Sequence, residues 1–509
     1  MKFNRTKRAA INTASGFLYK IVSILLPFIV RTIIIKTLGD SYVGLNSLFT
    51  SILTVLSMAE LGFGSAIVYY MYKPIAEDDV PHISALLNYY QKMYKVIGIV
   101  ILIAGAIVIP FLPALIKSDL PADINLYLLY LIYLSNTVIG YFLFAYRTSI
   151  FLANQRNDIV FNISTVISLV QYILQIIVLL VFRNYYLYII VFALTVVPQN
   201  IATYLLSKKR YPNYECKGEL TPEVKKDFHN RVIALMGHKI GATFIVSIGS
   251  ILISALLGLV ALAKYSNYFY IYSSIIAITN IIIQSLLPSI GNKLITDSKE
   301  EAYFIFTKLS YMWIWLVGWC SISLLYLYNP FVRIWLGEEY TYPFTVVSVI
   351  VLYYFAWQFR LMGLTFKDAA GLWKKDWYKP YLGMIINTVG SFILIVALRN
   401  VIGVLIPTIF VMLVIYFPIE VKILFSNVFP KTYTLKYLRQ VATLILNVVF
   451  IAAIMYPIVS NIRMDGILGF ILKVLICVIV PNILFVFMTF RTKEFIYFKN
   501  KISLLMRAR

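Results

Sequence analysis

The chain has 509 residues, of which 61% are hydrophobic and only 13% charged, and its formal net charge is +23. This composition excludes an ordinary soluble globular domain, and the apolar runs recur along the whole chain, so we predict an all-α polytopic membrane protein. Three widely spaced cysteines (Cys216, Cys320 and Cys477) form neither a disulfide framework nor a metal-binding motif. With three histidines in the chain, we expect no metal site and no cofactor.

The apolar runs are long enough to cross a bilayer, because about 20 helical residues span its hydrocarbon core. They predict about fourteen transmembrane helices. In chain order we place them at residues 12–35, 42–68, 92–116, 124–146, 159–182, 185–207, 233–258, 265–290, 304–328, 342–366, 378–398, 401–421, 441–460 and 467–490.

Lysine and arginine are concentrated in every second connection between these helices. The segment 208–231 contains the largest group of basic residues between two predicted helices. The connections that hold Lys117, Arg183 and Arg399 have one basic residue each. Basic residues accumulate in cytoplasmic loops, so both termini are predicted to be cytoplasmic. The positive charge therefore indicates membrane topology and contact with anionic lipids, and we predict no nucleic-acid partner.

An internal repeat is visible at a constant offset. Lys239 follows Lys20 by 219 residues, and Leu257-Gly258 follow Leu38-Gly39 by the same number. A looser match relates Phe151–Asp158, after the fourth helix, to Phe366–Asp376, after the tenth. Such spacing predicts two homologous six-helix lobes around a central cavity, as in transporters built from parallel repeats. We assign residues 1–207 to the N-terminal lobe, 208–232 to a basic cytoplasmic linker, 233–430 to the C-terminal lobe, and 431–509 to helices 13 and 14 and a basic cytoplasmic tail. Within the linker, Thr221, Pro222 and Glu223 are predicted to be the N-cap and first residues of a short interfacial helix.

Polar side chains follow one face of the seventh predicted helix. Lys239, Thr243, Ser247, Ser250 and Ser254 lie within an arc of about 80° on an otherwise apolar helix. A polar face of this kind is expected to line a bundle interior or a water-filled cavity. The other candidate cavity residues are Lys20 and Arg31 on the first helix, Asn46 and Glu60 on the second, Tyr265, Tyr268 and Tyr272 on the eighth, and Arg360 on the tenth.

Several of these residues also have a structural interpretation. Serine and threonine commonly mediate helix packing in membranes. Arg31 is close enough to a helix end to reach the interface by snorkelling. Lys20 and Glu60 are at similar depth and could form an ion pair, and Glu420 is interpreted as an anchor at a helix end. Lys239 has no evident acidic partner in its half of the chain, so it is the strongest candidate for binding an anionic substrate.

Short motifs in both halves resemble one family of transporters. They are Leu38-Gly39, Gly44-Leu45 and the run from Ala59 to Ala66 in the first half, and Leu257-Gly258, Tyr265 and Leu287-Pro288 in the second. These motifs are similar to those of Wzx-type polysaccharide repeat-unit flippases, the polysaccharide transporter branch of the multidrug/oligosaccharidyl-lipid/polysaccharide exporter superfamily. Many Wzx-type members have twelve spans, whereas fourteen are usual in the lipid II branch.

The resemblance implies a flippase with two six-helix lobes in a bacterial plasma (inner) membrane. It would move undecaprenyl-diphosphate-linked oligosaccharide repeat units from the cytoplasmic to the outer leaflet by alternating access, for capsule, O-antigen or exopolysaccharide assembly. A polysaccharide polymerase and its chain-length machinery are candidate partners. The candidate residues are chemically compatible with this substrate, because intramembrane cations would suit the diphosphate and tyrosine rings would stack on sugars.

Three alternative functions fit parts of the same pattern. A lipid II (peptidoglycan precursor) flippase would recognise the same combination of diphosphate and sugars. A cation-coupled multidrug antiporter would need an unpaired carboxylate in the cavity, for which only Glu60 qualifies. An enzyme, such as a polymerase or a membrane glycosyltransferase, would need a sizeable catalytic segment outside the membrane, and the short loops and linker contain no such motif. We therefore expect a transporter that is not an enzyme.

Overall fold

The structure is a computed structural model that describes residues 5–117, 120–462, 464 and 466–507. Within these ranges every regular element is a helix. Lys2, Arg463 and Arg509 are basic residues outside the predicted helices, and they also lie outside the described residues. The chain divides into two compact units, Met1–Asn267 and Tyr268–Arg509.

The first unit contains nine complete α-helices within its described part. They are α1 (Arg5–Thr37), α2 (Asp40–Leu56), α3 (Phe63–Ala76), α4 (Val80–Val108), α5 (Leu126–Phe142), α6 (Thr148–Ala153), α7 (Asn157–Ile177), α8 (Tyr185–Arg210) and α9 (Pro222–Leu257). The first residues of α10 (Leu259–Thr296) complete this unit.

The second unit contains the remainder of α10 and the following helices. They are α11 (Lys299–Trp335), α12 (Phe344–Gln358), α13 (Leu361–Ala369), α14 (Lys379–Leu398), α15 (Ile402–Phe410), α16 (Phe417–Asn427), α17 (Thr434–Ser460), α18 (Gly466–Thr489) and α19 (Lys493–Arg507).

Twelve stretches of helix in the described residues are long and apolar enough to cross a membrane. A thirteenth is added if α5 and the segment Ala145–Ala153, which bend by 53°, form one span. Each of the fourteen predicted segments is largely helical, but the second, fourth and tenth are interrupted, and α2 alone has only 17 residues. The many-helix membrane fold is therefore confirmed, whereas the count of about fourteen spans is not.

The seventh predicted span is part of a longer helix than expected. Thr221 and Pro222 are the N-cap and first residue of α9, as the sequence predicted, but α9 continues without interruption to Leu257. No proline or glycine occurs between Pro222 and Gly237 to stop it. The predicted short interfacial helix is therefore the first part of α9 and is continuous with the seventh span, Lys239–Leu257. All of α9 belongs to the first compact unit. The division of the repeat into two lobes joined by a linker at 208–232 stays a prediction.

Matching turns occur in the two halves of the chain. Gly39 ends the first span with φ 110° and ψ 175°, and Gly258 ends the seventh with φ 99° and ψ 173°. Arg183 and Arg399 both adopt a left-handed conformation after the fifth and eleventh spans, with φ 47° and 48°. Left-handed backbone is uncommon for arginine, so its recurrence at equivalent positions supports the predicted internal repeat.

Candidate functional site

The second predicted span is interrupted at the motif that resembles the transporter family. After α2, Ser57–Glu60 form one 3₁₀ turn, and Gly62 has φ 103° before α3 begins. Glycine adopts such a positive φ without the steric cost that a side chain would bring. The break separates two polar residues of the motif, because Glu60 precedes it and Ser65 follows it.

Glu60 is held by tyrosine hydroxyl groups. Tyr94 donates a hydrogen bond to one carboxylate oxygen of Glu60 and Tyr141 donates to the other, both at 2.5 Å. The Tyr90 hydroxyl donates to that of Tyr94 at 3.0 Å. Within the described part of the chain, no ion pair joins Glu60 to Lys20. The alternative that these two residues neutralise each other is therefore not observed, because hydroxyl donors from α4 and α5 take that place.

Lys239 lies on α9 with its side chain exposed. Its ammonium group donates to the Ser65 hydroxyl at 3.3 Å, directly after the break in the second span. Neither Lys239 nor Lys20 forms an ion pair with a described carboxylate. An ammonium group whose neighbour is a neutral hydroxyl keeps its positive charge uncompensated, which suits contact with an anionic group.

An aromatic cluster fixes the first turns of α9 against α3 and α4. Phe228 is fully buried, with its ring centroid 6.0 Å from that of Phe63 and 5.5 Å from that of Tyr89. The Tyr70 hydroxyl donates to the carboxylate of Asp227. The cluster thus fixes the part of α9 that leads to Lys239.

The hydroxyl groups of the α9 stripe are less accessible than predicted for a cavity surface. Ser247 and Ser254 are buried, whereas Thr243 and Ser250 are half-buried. Because α9 packs against α2 and α3, burial of these small residues fits the helix-packing interpretation. A contact of Ser247 or Ser250 with substrate stays a prediction.

Arg31 and Asn46 are engaged by other side chains of the first unit. Arg31 donates through Nε to Oδ1 of Asn267 at 2.5 Å, and its terminal nitrogen donates to the Ser266 hydroxyl. Asn46 accepts a hydrogen bond from the Tyr133 hydroxyl at 2.7 Å. The Arg31 guanidinium therefore contacts the first turns of α10. Neither of the two interpretations of Arg31, as a cavity residue or as a residue that snorkels to the interface, predicted these partners.

The three predicted tyrosines of α10 are buried. Tyr268 donates to Oδ1 of Asn329 at 2.6 Å and accepts from the backbone N–H of Tyr342. Tyr272 packs its ring against that of Tyr353, with centroids 5.6 Å apart. Tyr265 is 5% exposed. Tyr268 and Tyr272 thus contribute to packing of the second unit, and stacking of any of the three on a sugar stays a prediction.

Arg360 is part of a buried ionic network that the sequence did not reveal. It occupies the break between α12 and α13, and its guanidinium donates to Oε1 of Glu420 at 2.5 Å. Lys379, at the start of α14, donates to the same oxygen at 2.6 Å. Arg360 is 7% exposed and Glu420 only 2%. Glu420 is therefore a buried partner of two cations, which corrects its interpretation as an anchor at a helix end.

The network extends to the segment that matched the first half of the chain. Asp376 binds Lys379 at 2.8 Å and Lys367 at 2.9 Å. In the first unit, the matched residue Asp158 binds Arg156 through both carboxylate oxygens at 2.8 Å. In both of these matched segments, therefore, an aspartate near the start of a helix pairs with a cation. The sequence contains these charged residues, but it does not show which of them pair.

Comparisons with known proteins agree on family and fold. A model of the polysaccharide biosynthesis protein family matches residues 9–292. No protein of curated function matches the sequence significantly. Among solved structures, the lipid II flippase MurJ in an inward closed conformation has a TM-score of 0.61 at 18% identity, covering 97% of this chain and 100% of that one.

Multidrug transporters are also similar. An inward-facing multidrug resistance MATE family transporter of the MOP superfamily has a TM-score of 0.58 at 14% identity, covering 82% of this chain and 98% of its own. A point mutant of the Vibrio cholerae MATE transporter VcmN has a TM-score of 0.56 at 15% identity, covering 83% and 99%. At these identities the likeness concerns the fold.

Proposed function

The chain belongs to the polysaccharide biosynthesis protein family, and on that premise we propose that it is a flippase for lipid-linked oligosaccharides. The substrate would be an undecaprenyl-diphosphate-linked repeat unit, moved from the cytoplasmic to the outer leaflet of a bacterial plasma membrane. Transport would proceed by alternating access and without covalent chemistry.

The observation that carries the proposal is the match of the family model together with the transporter fold. Lys239 supports a role for the first unit in binding, because its ammonium group contacts only a hydroxyl among the described residues. A charge in hydrocarbon costs about 2.5–3.5 kcal/mol, and an anionic diphosphate would compensate it. Lys20 would act in the same way on α1.

One observation favours lipid II as a second candidate substrate. The lipid II flippase MurJ covers 97% of this chain, whereas the multidrug transporter structures cover 82% or 83%. Lipid II has the same carrier chemistry, with a diphosphate and sugars, so Lys239 would serve either substrate. A multidrug antiporter is less well supported, because Glu60 is occupied by two tyrosine hydroxyls and is not an unpaired carboxylate.

Deletion of the gene tests the proposal. We expect surface polysaccharide to disappear while lipid-linked repeat units accumulate in the cytoplasmic leaflet, because assembly of the unit precedes flipping. A lectin-accessibility assay on spheroplasts would report the leaflet in which the lipid-linked units accumulate. Accumulation of lipid II with normal surface polysaccharide would favour the second candidate. Normal levels of both lipids, with lost drug resistance, would refute the flippase proposal.

A further inference from the structure

A cavity of about 430 Å³ lies between α16 and the beginning of α17, entirely within the second unit. Its apolar wall includes Val421 and Phe425, which are 6% and 2% exposed. On α16, the lining residues recur at helical spacing, so one face of this helix forms one side of the cavity. The volume is within the range of small-ligand sites, about 300–1,000 Å³.

Two lysines and two hydroxyl groups form the polar part of this cavity. Lys422 and Ser426 belong to α16, and Lys431 and Thr434 belong to the short turn and the helix that follow. Both lysines are exposed, and no described carboxylate forms an ion pair with either. This differs from Lys379, a buried lysine of the same unit, which binds Glu420 and Asp376. The cavity therefore combines two uncompensated positive charges with an apolar wall.

Its position along the chain places the cavity at a membrane face. The two spans that enclose it are Ile402–Asn427 and Lys431–Ser460, and only three residues join them. A connection this short keeps both helix ends at the same level, where the headgroups of the lipid bilayer lie. The apolar residues Phe417 and Leu438 line the same cavity and would contact the upper part of a hydrocarbon chain.

We propose that this cavity binds the phosphodiester headgroup of an anionic phospholipid. The phosphate would lie between the ammonium groups of Lys422 and Lys431 and accept hydrogen bonds from the hydroxyls of Ser426 and Thr434. Basic pockets between transmembrane helices recognise anionic lipids because the phosphate neutralises the lysines while the chain covers apolar surface. The site lies in a different unit from Lys239, and its occupant would be a membrane lipid that stays bound and is not transported.

Native mass spectrometry of the purified full chain tests this assignment, with phosphatidylglycerol and phosphatidylcholine titrated separately into detergent micelles. We expect wild type to retain phosphatidylglycerol preferentially. In the Lys422→Gln/Lys431→Gln variant its apparent affinity should fall about tenfold or more, because two charge contacts are lost. The Lys422→Arg/Lys431→Arg variant should keep most of the affinity, since both charges remain.

The matched control is Lys436→Gln/Arg439→Gln, which removes the same charge from exposed positions of α17 outside the cavity. It should bind phosphatidylglycerol as wild type does. Equal loss in the control and in the cavity variant would overturn the site, as would equal retention of both lipids by wild type. Tighter binding of a short-chain polyprenyl diphosphate than of phosphatidylglycerol would also overturn it, because the cavity would then select the substrate class.

Discussion

The ammonium group of Lys239 is the residue-scale feature on which substrate capture depends in our proposal. It projects from α9 beside the Ser65 hydroxyl and forms no ion pair with a described carboxylate. Its removal should therefore leave no unpaired buried charge behind, in contrast to removal of one member of a buried pair.

We predict that Lys239→Ala and Lys239→Gln fold and insert normally but flip substrate about tenfold or more slowly, because a charge-assisted hydrogen bond to the diphosphate is lost. Lys239→Arg should retain part of the activity. The measurement is surface polysaccharide at matched protein level, with Lys226→Gln, an exposed lysine of the same helix, as control. Full activity of the Ala and Gln variants would remove Lys239 from the binding site.

A second residue-scale prediction concerns the buried pair of Arg360 and Glu420. Arg360→Met should destabilise the protein by about 3 kcal/mol, because it leaves the carboxylate with one cation fewer in a buried site. The Arg360→Met/Glu420→Met variant should recover part of that loss, since Lys379 keeps Asp376 as its partner. Thermal unfolding in detergent measures both. Lys375→Met, at an exposed position, is the control, and equal destabilisation by the control would contradict the role of the pair.

At the scale of elements, the repeat is expressed in how helices end. Gly39 and Gly258 adopt nearly the same positive φ at the junctions of α1 with α2 and of α9 with α10. At Gly39 the requirement for glycine is conformational and not steric, because nothing lies within 4 Å of a Cβ built there. At such a positive φ, an L side chain strains the backbone even where there is space for the side chain.

We predict that Gly39→Ala and Gly258→Ala each destabilise the protein by about 1–3 kcal/mol, the cost of holding an L-residue at a positive φ with ψ near 180°, a conformation that is essentially restricted to glycine. Gly291→Ala is the control, because Gly291 lies within α10, has no positive φ and leaves room for a Cβ. It should be neutral or slightly stabilising. Clearly unequal costs at Gly39 and Gly258, measured by thermal unfolding, would argue against equivalent turns.

At the scale of the whole molecule, the number of membrane crossings decides the orientation of the two ends. Among the described residues, twelve or thirteen stretches are long and apolar enough to cross, and the broken segment 40–76 is the additional crossing in question. If α2 and α3 together cross the membrane, an even total of fourteen places both ends on one side. The excess of basic residues in alternate connections predicts that even total.

Reporter fusions test this orientation. We predict that fusions within the linker 211–220 and after residue 507 report the cytoplasm, whereas a fusion at residue 121 reports the outside. An externally located C-terminus, with the linker inside, would mean that one of the later predicted spans does not cross. A linker and a residue-121 fusion on the same side would place the error in the first half of the chain.

Amino-acid order alone was sufficient for the helical membrane class, the positions of the helices and the family resemblance. Apolar length, loop charge and repeated motifs such as Leu38-Gly39 are properties of short stretches, so they can be identified without knowing which helices touch. The same reasoning predicted Thr221 and Pro222 at a helix start, and it singled out Lys239 as a cation without an evident acidic partner.

The tertiary structure decided which polar groups meet. Glu60 binds tyrosines 34 and 81 residues away, and Arg360 binds Glu420 across 60 residues. Helical periodicity gives the face on which a side chain lies, but several neighbours could occupy that face, and only packing selects one. For the same reason Tyr268 and Tyr272 matched a cavity stripe in sequence and yet pack inside the second unit. Burial is a property of the assembled helices, because each helix face is covered only when its neighbours are in place.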